Sequence, residues 1–434
     1  MKHALFGAAL AISLLLGASA SAAAAAQRSP LQWVKVVMLT RHGIRSGTKS
    51  ADTLARYTTR RWPQWPVARG NLTAHGATAI RNLGVWLRMH YAQAGLLPAK
   101  GCPQPGTATV WADNADQRTR VSGQAMIEGL FPGCGMQAYW HPRAHDDPLF
   151  HAISTGICPI DPLLAVKAVR RHGDPNAPGI GYDHALARLK QILGDESACS
   201  KNAKVCSWAR APNLLHSKRD NGVALSGPLH VGATLSEMLL LEYAQGMPAD
   251  QVGWGAAASP SAIAAVIPLH TLYSNLMRRT PYLAAHNGTP LAKTILGALT
   301  ASKHPNPQDP ADARKLLLFL GHDTNLANLG AMLGVNWTLP GQPDPTAPDT
   351  TLAFELLRDH SGRDYVRLRV YYQTLKQLRS GAAFDRTNPP GALTLNIPGC
   401  SRDQRDRLCP MPAFRKLLRK AMVPGCTPPQ PSPS

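Results

Sequence analysis

Residues 33–45 read WVKVVMLTRHGIR, a short apolar run that ends abruptly in a basic cluster. Residues 33–40 predict a buried strand, because the run is short, apolar and rich in β-branched valine. Two further apolar runs also end in polar and charged residues: residues 107–118 read TATVWADNADQR, and residues 316–325 read LLLFLGHDTN. In open α/β sheets, ligands bind beyond the carboxyl ends of the strands. The three strand ends therefore predict one shared site, built from distant parts of the chain.

The rest of the chain predicts an α/β fold of two lobes. Helical patterns cover residues 73–95, 163–171, 182–193 and 225–245, and alternating strand patterns cover 352–357 and 365–372. With 434 residues, the chain is longer than one compact core usually needs. We therefore predict an α/β-sheet domain with helices on both faces, residues 27–159 and 286–434, and an inserted smaller α-helical domain, residues 160–285.

Residues 1–26 predict a secretory signal peptide. Lys2 and His3 precede an apolar stretch, and small residues with A-x-A sites follow it. An uncleaved membrane anchor is the alternative, but the strongly apolar part is short. Eight cysteines without a C-x-x-C pair favour disulfides over a zinc ribbon, and disulfides form in oxidising compartments. A periplasmic or secreted protein is predicted.

Composition and charge narrow the class of protein. The hydrophobic fraction of 44% excludes a disordered or collagen-like chain. The chain has 46 basic and 26 acidic residues, and this net charge of +20 favours nucleic acid, anionic lipid surfaces or phosphorylated small molecules as partners. After the N-terminal segment no apolar run reaches membrane-spanning length, so no stable membrane insertion is predicted. Walker A, H-E-x-x-H and G-x-S-x-G motifs are absent from the sequence.

The basic cluster at residues 41–45 suits the capture of a phosphoryl group. Two guanidiniums can bind phosphate oxygens bidentately, and the same cations disfavour the imidazolium form of His42. A neutral imidazole is the nucleophilic form. A solvated basic loop is the alternative, and the tripeptide Arg-His-Gly recurs at residues 171–173, where it ends a helical pattern. The strand context and the second arginine, Arg45, distinguish the first copy from the second.

The two other strand ends add an arginine, a histidine and a carboxylate. Arg118 lies near the start of a predicted helix, where it can share an anion with the helix N-terminus; a pair with Asp113 or Asp116 is the alternative. Asp323 can protonate a leaving oxygen as general acid, and His322 can stabilise the developing charge. The alternative for Asp323 is a helix cap, and the two roles are compatible.

These motifs resemble the histidine acid phosphatases, in the branch that includes bacterial periplasmic phytases and glucose-1-phosphatases. Residues 321–330, 336–344 and 244–248 are similar to the enterobacterial phytase group in particular. The resemblance implies an α/β lobe and a helical lobe with the site between them. It implies that His42 becomes the phosphohistidine, that Asp323 is the general acid, and that no metal or organic cofactor is used. The residues expected to hold the phosphoryl group are Arg41, Arg45, Arg118 and His322.

Three substrate contacts and four disulfides are also implied by resemblance only. Thr48, Lys49 and Glu237 match substrate-binding positions; a solvated lysine and an exposed helical glutamate are the alternatives. The family reads Arg-x-Pro where Ser46 and Gly47 follow Arg45 here, so a more mobile loop is expected. The implied disulfides are Cys102–Cys134, Cys158–Cys426, Cys199–Cys206 and Cys400–Cys409.

The sequence thus predicts an exported acid phosphatase, foremost a phytase acting on myo-inositol hexakisphosphate, with an acidic pH optimum. A glucose-1-phosphatase or a broad-specificity acid phosphatase is the nearest alternative. A non-catalytic polyanion-binding envelope protein is an alternative of a different class. We expect a monomer whose partner is a phosphorylated small molecule and not nucleic acid.

Overall fold

The structure is a computed structural model that describes residues 31–142, 146–194, 207–218, 222–301, 314–400 and 407–427. The predicted signal peptide, residues 1–26, and the implied pair Cys199–Cys206 lie outside the described residues.

Within these ranges, seven strands form one mixed sheet. They are β1 (Gln32–Arg41), β2 (Ala108–Ala112), β5 (Leu316–Gly321), β6 (Thr351–Arg358), β7 (Asp364–Tyr372), β8 (Gly391–Leu395) and β9 (Leu408–Pro410). The order is β2-β5-β1-β6-β7-β8, and β9 also pairs with β7. β2, β5 and β1 are parallel, whereas the pairs beyond β1 are antiparallel. The three strands predicted to end at the site are therefore neighbours that point in one direction.

The helices of the described chain are α1 (Ala51–Leu54), α2 (Ala74–Gln93), α3 (Gln117–Leu130), α4 (Pro162–His172), α5 (Tyr182–Leu193), α6 (Pro228–Ala244), α7 (Pro260–Val266), α8 (Pro268–Met277), α9 (Pro281–Thr300), α10 (Asp323–Met332), α11 (Leu375–Ser380) and α12 (Met411–Ala421). Side-chain caps start several of them: the hydroxyl of Thr73 accepts from Gly76 N at α2, and Asp161 accepts from two amides at α4. Proline stands in the first turn of α4 and α6 to α9, where its missing N–H costs no hydrogen bond.

The sheet is covered by helices on both faces, as the sequence predicts. Side chains of β1 alternate: Val37 and Leu39 join a core with residues of α9, α10 and α12, whereas Val36 and Met38 join a core with residues of α2 and α3. All four are fully buried, which is typical of parallel strands with helices on either side.

A third core forms around α6, where side chains of α4, α5, α7 and α8 meet. Most residues of α6 are buried, including Leu235 and Leu239, so this helix is enclosed nearly all round. The predicted boundaries at 160 and 285 stay a prediction, and α9 runs across the second of them. No helix within the described ranges is both long and apolar enough to cross a membrane.

One prediction for the middle of the chain was incomplete. Strands β3 (Leu214–Lys218) and β4 (Gly222–Ser226) form a hairpin of their own in a region predicted as mostly helical. The helix predicted from residue 225 begins at Pro228, because Leu225 belongs to β4. Each strand has only five residues, so its alternation is too brief to oppose the helical pattern that follows it.

Disulfides join Cys102 to Cys134, Cys158 to Cys426, and Cys400 to Cys409. These are three of the four pairs that the resemblance implies. The second pair links residues 268 positions apart, so it ties the segment after α12 to the segment before α4.

Candidate active site

The ends of β1, β2 and β5 bring the predicted residues to one edge of the sheet. Arg41 pairs with Gly321, so His42 and His322 follow neighbouring strands at the same level. His42 N donates to Gly321 O at 3.0 Å, and Asp113 N donates to Leu320 O at 2.9 Å. The imidazole centroids of His42 and His322 lie 5.5 Å apart. The parallel register thus assembles a site from residues that are 280 positions apart in the sequence, such as His42 and His322 (322 − 42 = 280).

His42 is held as a neutral imidazole with one defined free nitrogen. The ring is 2% exposed, and its Nδ1 lies 2.8 Å from the carbonyl oxygen of Gly43. Because a carbonyl only accepts, Nδ1 carries the proton and Nε2 has the free lone pair. Burial lowers the pKa of His42 well below its ordinary value of 6.5, and the charges of Arg118 and Arg41 lower it further. His42 can therefore act as a nucleophile in acidic solution.

Arg41 and Arg45 share one carboxylate, that of Glu237 on α6. Arg41 Nη2 donates to Glu237 Oε1, and Arg45 Nη2 donates to Glu237 Oε2 at 2.9 Å. Burial opposes ionisation of Glu237, but the two arginines outweigh it and lower its pKa to about 2. The glutamate is 13% exposed, so the alternative of an exposed helical glutamate was wrong. Both guanidiniums expected to bind phosphate are thus already paired with an anion.

Arg118 lies at the start of α3, close enough for its charge to depress the pKa of His42. Its Nη2 contacts Asp116 Oδ2 at 2.5 Å, and its Nη1 lies 3.4 Å from Gly70 O. The ion pair with Asp116 was the alternative for this residue. The structure shows this ion pair, and Arg118 also lies near His42 as predicted. Asp116 fixes the guanidinium without removing its field from the imidazole.

Asp323 is engaged by two cationic or polar groups from α8 and its C-terminal cap. Its Oδ2 lies 2.5 Å from Arg278 Nη1 and 3.2 Å from His270 Nε2. Burial raises the pKa of Asp323, but Arg278, Arg41 and His270 outweigh burial and hold it well below its ordinary value. The N-cap of α10 is His322, and Asp323 is the first residue of the helix, so the His-Asp pair also begins this helix. In this arrangement Asp323 is a carboxylate, whereas a general acid has to be protonated.

His322 belongs to a buried hydrogen-bonded group that the sequence did not indicate. Asp113 Oδ2 accepts from His322 Nε2 and from His151 Nε2, both at 2.6 Å. Asp113 is fully buried, and its own pKa is lowered because these hydrogen bonds outweigh burial. The carboxylate therefore fixes the His322 ring from behind, and His151 supports the carboxylate.

Sequence reasoning missed four of these residues: Asp113, His151, His270 and Arg278. Asp113 was considered only as a partner of Arg118. His270 and Arg278 belong to α8 and its C-terminal cap, which nothing in their local pattern connects to a strand end. The one available signal was the helical spacing of His270, Tyr273 and Met277, which puts them on one face.

Two groups within the described chain have donor atoms spaced as metal ligands would be: Asp113, His151 and His322, and Glu237, His270 and Asp323. In the first group both imidazoles donate to one carboxylate oxygen. In the second group both carboxylates are paired with arginines. Hydrogen bonds and ion pairs therefore account for both groups.

Thr48 and Lys49 follow the basic cluster of residues 41–45, and Lys49 lies at a large cavity. Thr48 is exposed, and Lys49 is half-buried. Lys49 lines a cavity of about 960 Å³, together with Ser46, Gly47, Arg60, Arg61, Trp62 and Trp65. A methyl group at Gly47 would meet Met238 Cε at 3.2 Å, so the turn passes close to α6. Ser46 and Gly47 place the cavity directly after residues 41–45, and Lys49, Arg60 and Arg61 make its lining basic.

Comparison with known proteins gives the class of this protein. Residues 34–371 match the histidine phosphatase superfamily (branch 2), and the chain belongs to this family. It is a histidine acid phosphatase, an enzyme that hydrolyses phosphate monoesters. The alternative of a non-catalytic polyanion-binding protein is thereby set aside.

The similar proteins include phytases and glucose-1-phosphatases. Phytase AppA of Escherichia coli (strain K12) is 36% identical over 430 residues, which cover 96% of this chain and 98% of that protein. The glucose-1-phosphatase of Salmonella typhimurium is 29% identical over 97% of this chain and 100% of that protein. Among solved structures, the Hafnia alvei phytase in complex with tartrate has a TM-score of 0.85 at 39% identity, covering 92% of this chain and 100% of that one. The predicted family and fold are confirmed.

Proposed function

We propose that this enzyme is a phytase, which removes phosphate from myo-inositol hexakisphosphate through a phosphohistidine intermediate. The observation that carries the proposal is the neutral imidazole of His42, whose pKa is depressed by burial and further by the guanidiniums of Arg118, Arg41 and Arg45. Such a site attracts phosphate groups and keeps its nucleophile unprotonated in the same field.

In the first half-reaction, the Nε2 lone pair of His42 attacks phosphorus while the bond from phosphorus to the leaving oxygen breaks. Arg41, Arg45, Arg118 and His322 hold the phosphoryl oxygens and offset the charge that develops on them. Arg41 and Arg45 are paired with Glu237 in this structure. The phosphoryl group therefore competes with Glu237 for these two guanidiniums or binds donors that Glu237 leaves unused, such as the unpartnered Nε of each.

Asp323 serves both halves of the reaction. It gives its proton to the leaving alkoxide oxygen as the phosphohistidine forms, which makes the departing group a neutral alcohol. The resulting carboxylate then takes a proton from the water that attacks the phosphohistidine. Inorganic phosphate leaves, and both Asp323 and His42 return to their starting protonation states.

The choice of phytate rests on the relatives and on the basic surroundings of the site. The phytase AppA of E. coli and the Hafnia alvei phytase share 36% and 39% identity with this chain, more than the 29% and 28% of two glucose-1-phosphatases. The Hafnia enzyme has also been solved in complex with myo-inositol hexakis sulphate. Lys49 and two arginines, Arg60 and Arg61, line the cavity beside the loop and can attract a polyanion.

Substrate preference tests the proposal directly. We expect kcat/KM for phytate to exceed that for glucose 1-phosphate at the acidic optimum by tenfold or more, about 1.4 kcal/mol of differential transition-state binding. A tenfold preference for glucose 1-phosphate would replace the phytase assignment with that of a glucose-1-phosphatase. Equal values for many monoesters would indicate a broad-specificity acid phosphatase.

The role of Asp323 has its own test, because only poor leaving groups need a proton. We expect Asp323→Asn to lower kcat about 10²- to 10⁴-fold on glucose 1-phosphate and far less on 4-nitrophenyl phosphate. An equal loss on both substrates would contradict the general-acid role.

We also propose that the protein is exported to the periplasm or beyond and acts there as a monomer on a small phosphorylated substrate. Three disulfides support an oxidising compartment. Cell fractionation of the full-length chain would test this placement.

A further inference from the structure

Arg278 makes a contact that conflicts with the chemistry of the site. Its Nη1 lies 2.5 Å from Asp323 Oδ2, the same oxygen that His270 Nε2 approaches at 3.2 Å. Asp323 Oδ1 is also occupied, because it accepts from the amide of Thr324 at 2.8 Å. Three donors around a carboxyl group favour the carboxylate over the protonated acid. Asp323 is therefore poorly protonated, and so a poor general acid, while this set of contacts persists.

The other charged and titratable groups near Asp323 are Arg41 of β1, Arg118 of α3, Glu237 of α6, and His270 and Tyr273 of α8. Most of them are fixed elsewhere. Arg41 is 1% exposed and is bound to Glu237 and to Thr346 O. His270 lies between Asp323 and Asp344. These contacts leave little freedom to change the charge at Asp323.

Arg278 is placed differently. It caps the C-terminal end of α8, its side chain is 21% exposed, and its guanidinium lies 5.6 Å from the ring centroid of Tyr273. An arginine that reaches both solvent and Asp323 can meet an incoming anion without crossing the core. Phosphate is a strong competitor for this guanidinium, since it offers bidentate oxygens and up to two charges.

We propose that Arg278 determines specificity by exchanging partners: a second phosphate of the substrate binds its guanidinium and draws it away from Asp323. The proposal rests on the proposed function, because it requires a substrate that carries neighbouring phosphates. Once the second phosphate holds the guanidinium of Arg278, Asp323 takes up a proton from solvent. It passes this proton to the leaving oxygen as the phosphorus–oxygen bond breaks. Arg278 stays a guanidinium throughout, so the proton count of the reaction is unchanged.

The exchange makes the substrate itself part of the acid's activation. A polyphosphate supplies the second phosphate that binds Arg278, and Asp323 can then become protonated. A monophosphate leaves Arg278 on Asp323 and reacts with a poorly protonated acid. The selectivity gained in this way appears in kcat as well as in KM, because the chemical step itself changes.

The test compares Arg278→Gln with the wild type on phytate, glucose 1-phosphate and 4-nitrophenyl phosphate. For phytate we expect kcat/KM to fall about tenfold, since one charged phosphate contact is lost. For glucose 1-phosphate we expect kcat above the pH optimum to rise about threefold or more, because the carboxyl no longer faces Arg278. The rate on 4-nitrophenyl phosphate should stay within about twofold, since its leaving group needs little protonation.

The pH profile on glucose 1-phosphate separates this role from a structural one. Arg278 favours the ionised form of Asp323, so its loss raises the pKa of Asp323 and moves the alkaline limb of kcat to higher pH. Arg278→Lys retains a cation and should move the limb less than Arg278→Gln. Arg171→Gln, an exposed arginine at the end of α4, removes the same charge far from the site and should leave the limb in place.

Three outcomes would overturn the proposal. The alkaline limb on glucose 1-phosphate could stay fixed in Arg278→Gln while phytate activity falls, which would make Arg278 a binding residue alone. All three substrates could lose rate equally, which together with a lowered unfolding temperature would indicate a structural role. Arg171→Gln could shift the limb as much, which would indicate a general charge effect. A wild type without preference for phytate would contradict the proposed function, yet the limb on glucose 1-phosphate would still report on the contact between Arg278 and Asp323.

Discussion

The tripeptide Arg-His-Gly occurs twice in this chain, and its two copies have different surroundings. Residues 41–43 end β1, and there Arg41 and His42 are buried. Residues 171–173 end α4, where Arg171 and His172 are exposed and Gly173 is the C-cap. The helix terminus predicted for the second copy is confirmed.

The difference lies in what each element places next to the same three side chains. At the end of β1, the parallel neighbours β2 and β5 end at the same edge and deliver Asp113 and His322. At the end of α4, the basic side chains face water, and their charge interacts favourably with the negative C-terminal end of the helix dipole. The tripeptide alone therefore predicts no chemistry, because the sheet edge supplies the partners on which the proposed role of His42 depends.

The largest expected difference between the two copies is in kcat, when the histidine of each copy is replaced by alanine. His42→Ala should lower kcat by about 10⁴-fold or more, equivalent to about 5.5 kcal/mol, because no nucleophile remains. His172→Ala should keep full activity. Acid-quench trapping of labelled phosphate should find phosphoenzyme in the wild type and in His172→Ala, and none in His42→Ala. Trapped phosphate in His42→Ala would place the nucleophile elsewhere.

The arginines should separate in the same way, with a smaller effect. Arg45→Gln removes a donor that faces the phosphoryl group and should lower kcat about 10²- to 10³-fold. Arg171→Gln should leave kcat within a factor of about two, as is usual for surface substitutions away from a site. Steady-state kinetics on phytate measures both. A comparable loss in the two variants would mean that net charge, and not contact, governs the rate.

The pH dependence of kcat/KM tests how the neighbouring positive charges affect the pKa of His42. The pKa of His42 is depressed, so the neutral nucleophile persists below pH 6.5 and the acid limb of kcat/KM should lie well below that value. Arg118→Gln removes one of the opposing charges and leaves burial in place, so it should raise the pKa of His42. The acid limb should then move to higher pH. An unmoved limb would show that another group controls it.

The sequence was sufficient to predict where the residues that directly follow strands lie in the fold. Residues 41–45 and 321–325 were predicted to converge because parallel strands deliver their ends to one edge, and the register confirms that they do. Glu237 could have been recognised as enclosed, since α6 is apolar nearly all round near Leu239.

The contacts of Arg278 and His151 could not be predicted in this way. Both reach the site through packing of the helical part against the sheet or through a loop, and neither follows a strand. Local patterns fix which face of a helix is buried, but not which residue of another element that face meets. The hairpin of β3 and β4 was missed for a related reason, because its pairing is decided by two short segments together.

The smallest expected difference between the two copies comes from replacing their glycines by alanine. It should affect the free energy of unfolding more than the rate of the reaction. A Cβ at Gly43 would lie 2.9 Å from Gly76 O and 3.0 Å from Leu72 Cδ1, so α2 would have to shift. At Gly173 it would meet only Leu276 Cδ1, at 3.2 Å, and the backbone there is extended. Gly43→Ala should therefore lower the free energy of unfolding by about 1–3 kcal/mol, through overpacking. Gly173→Ala should change it by less than about 0.5 kcal/mol, because a flexible leucine methyl can move aside. Denaturant unfolding of the two variants measures the difference, and equal destabilisation would mean that the close approach of α2 to the loop at Gly43 does not constrain it.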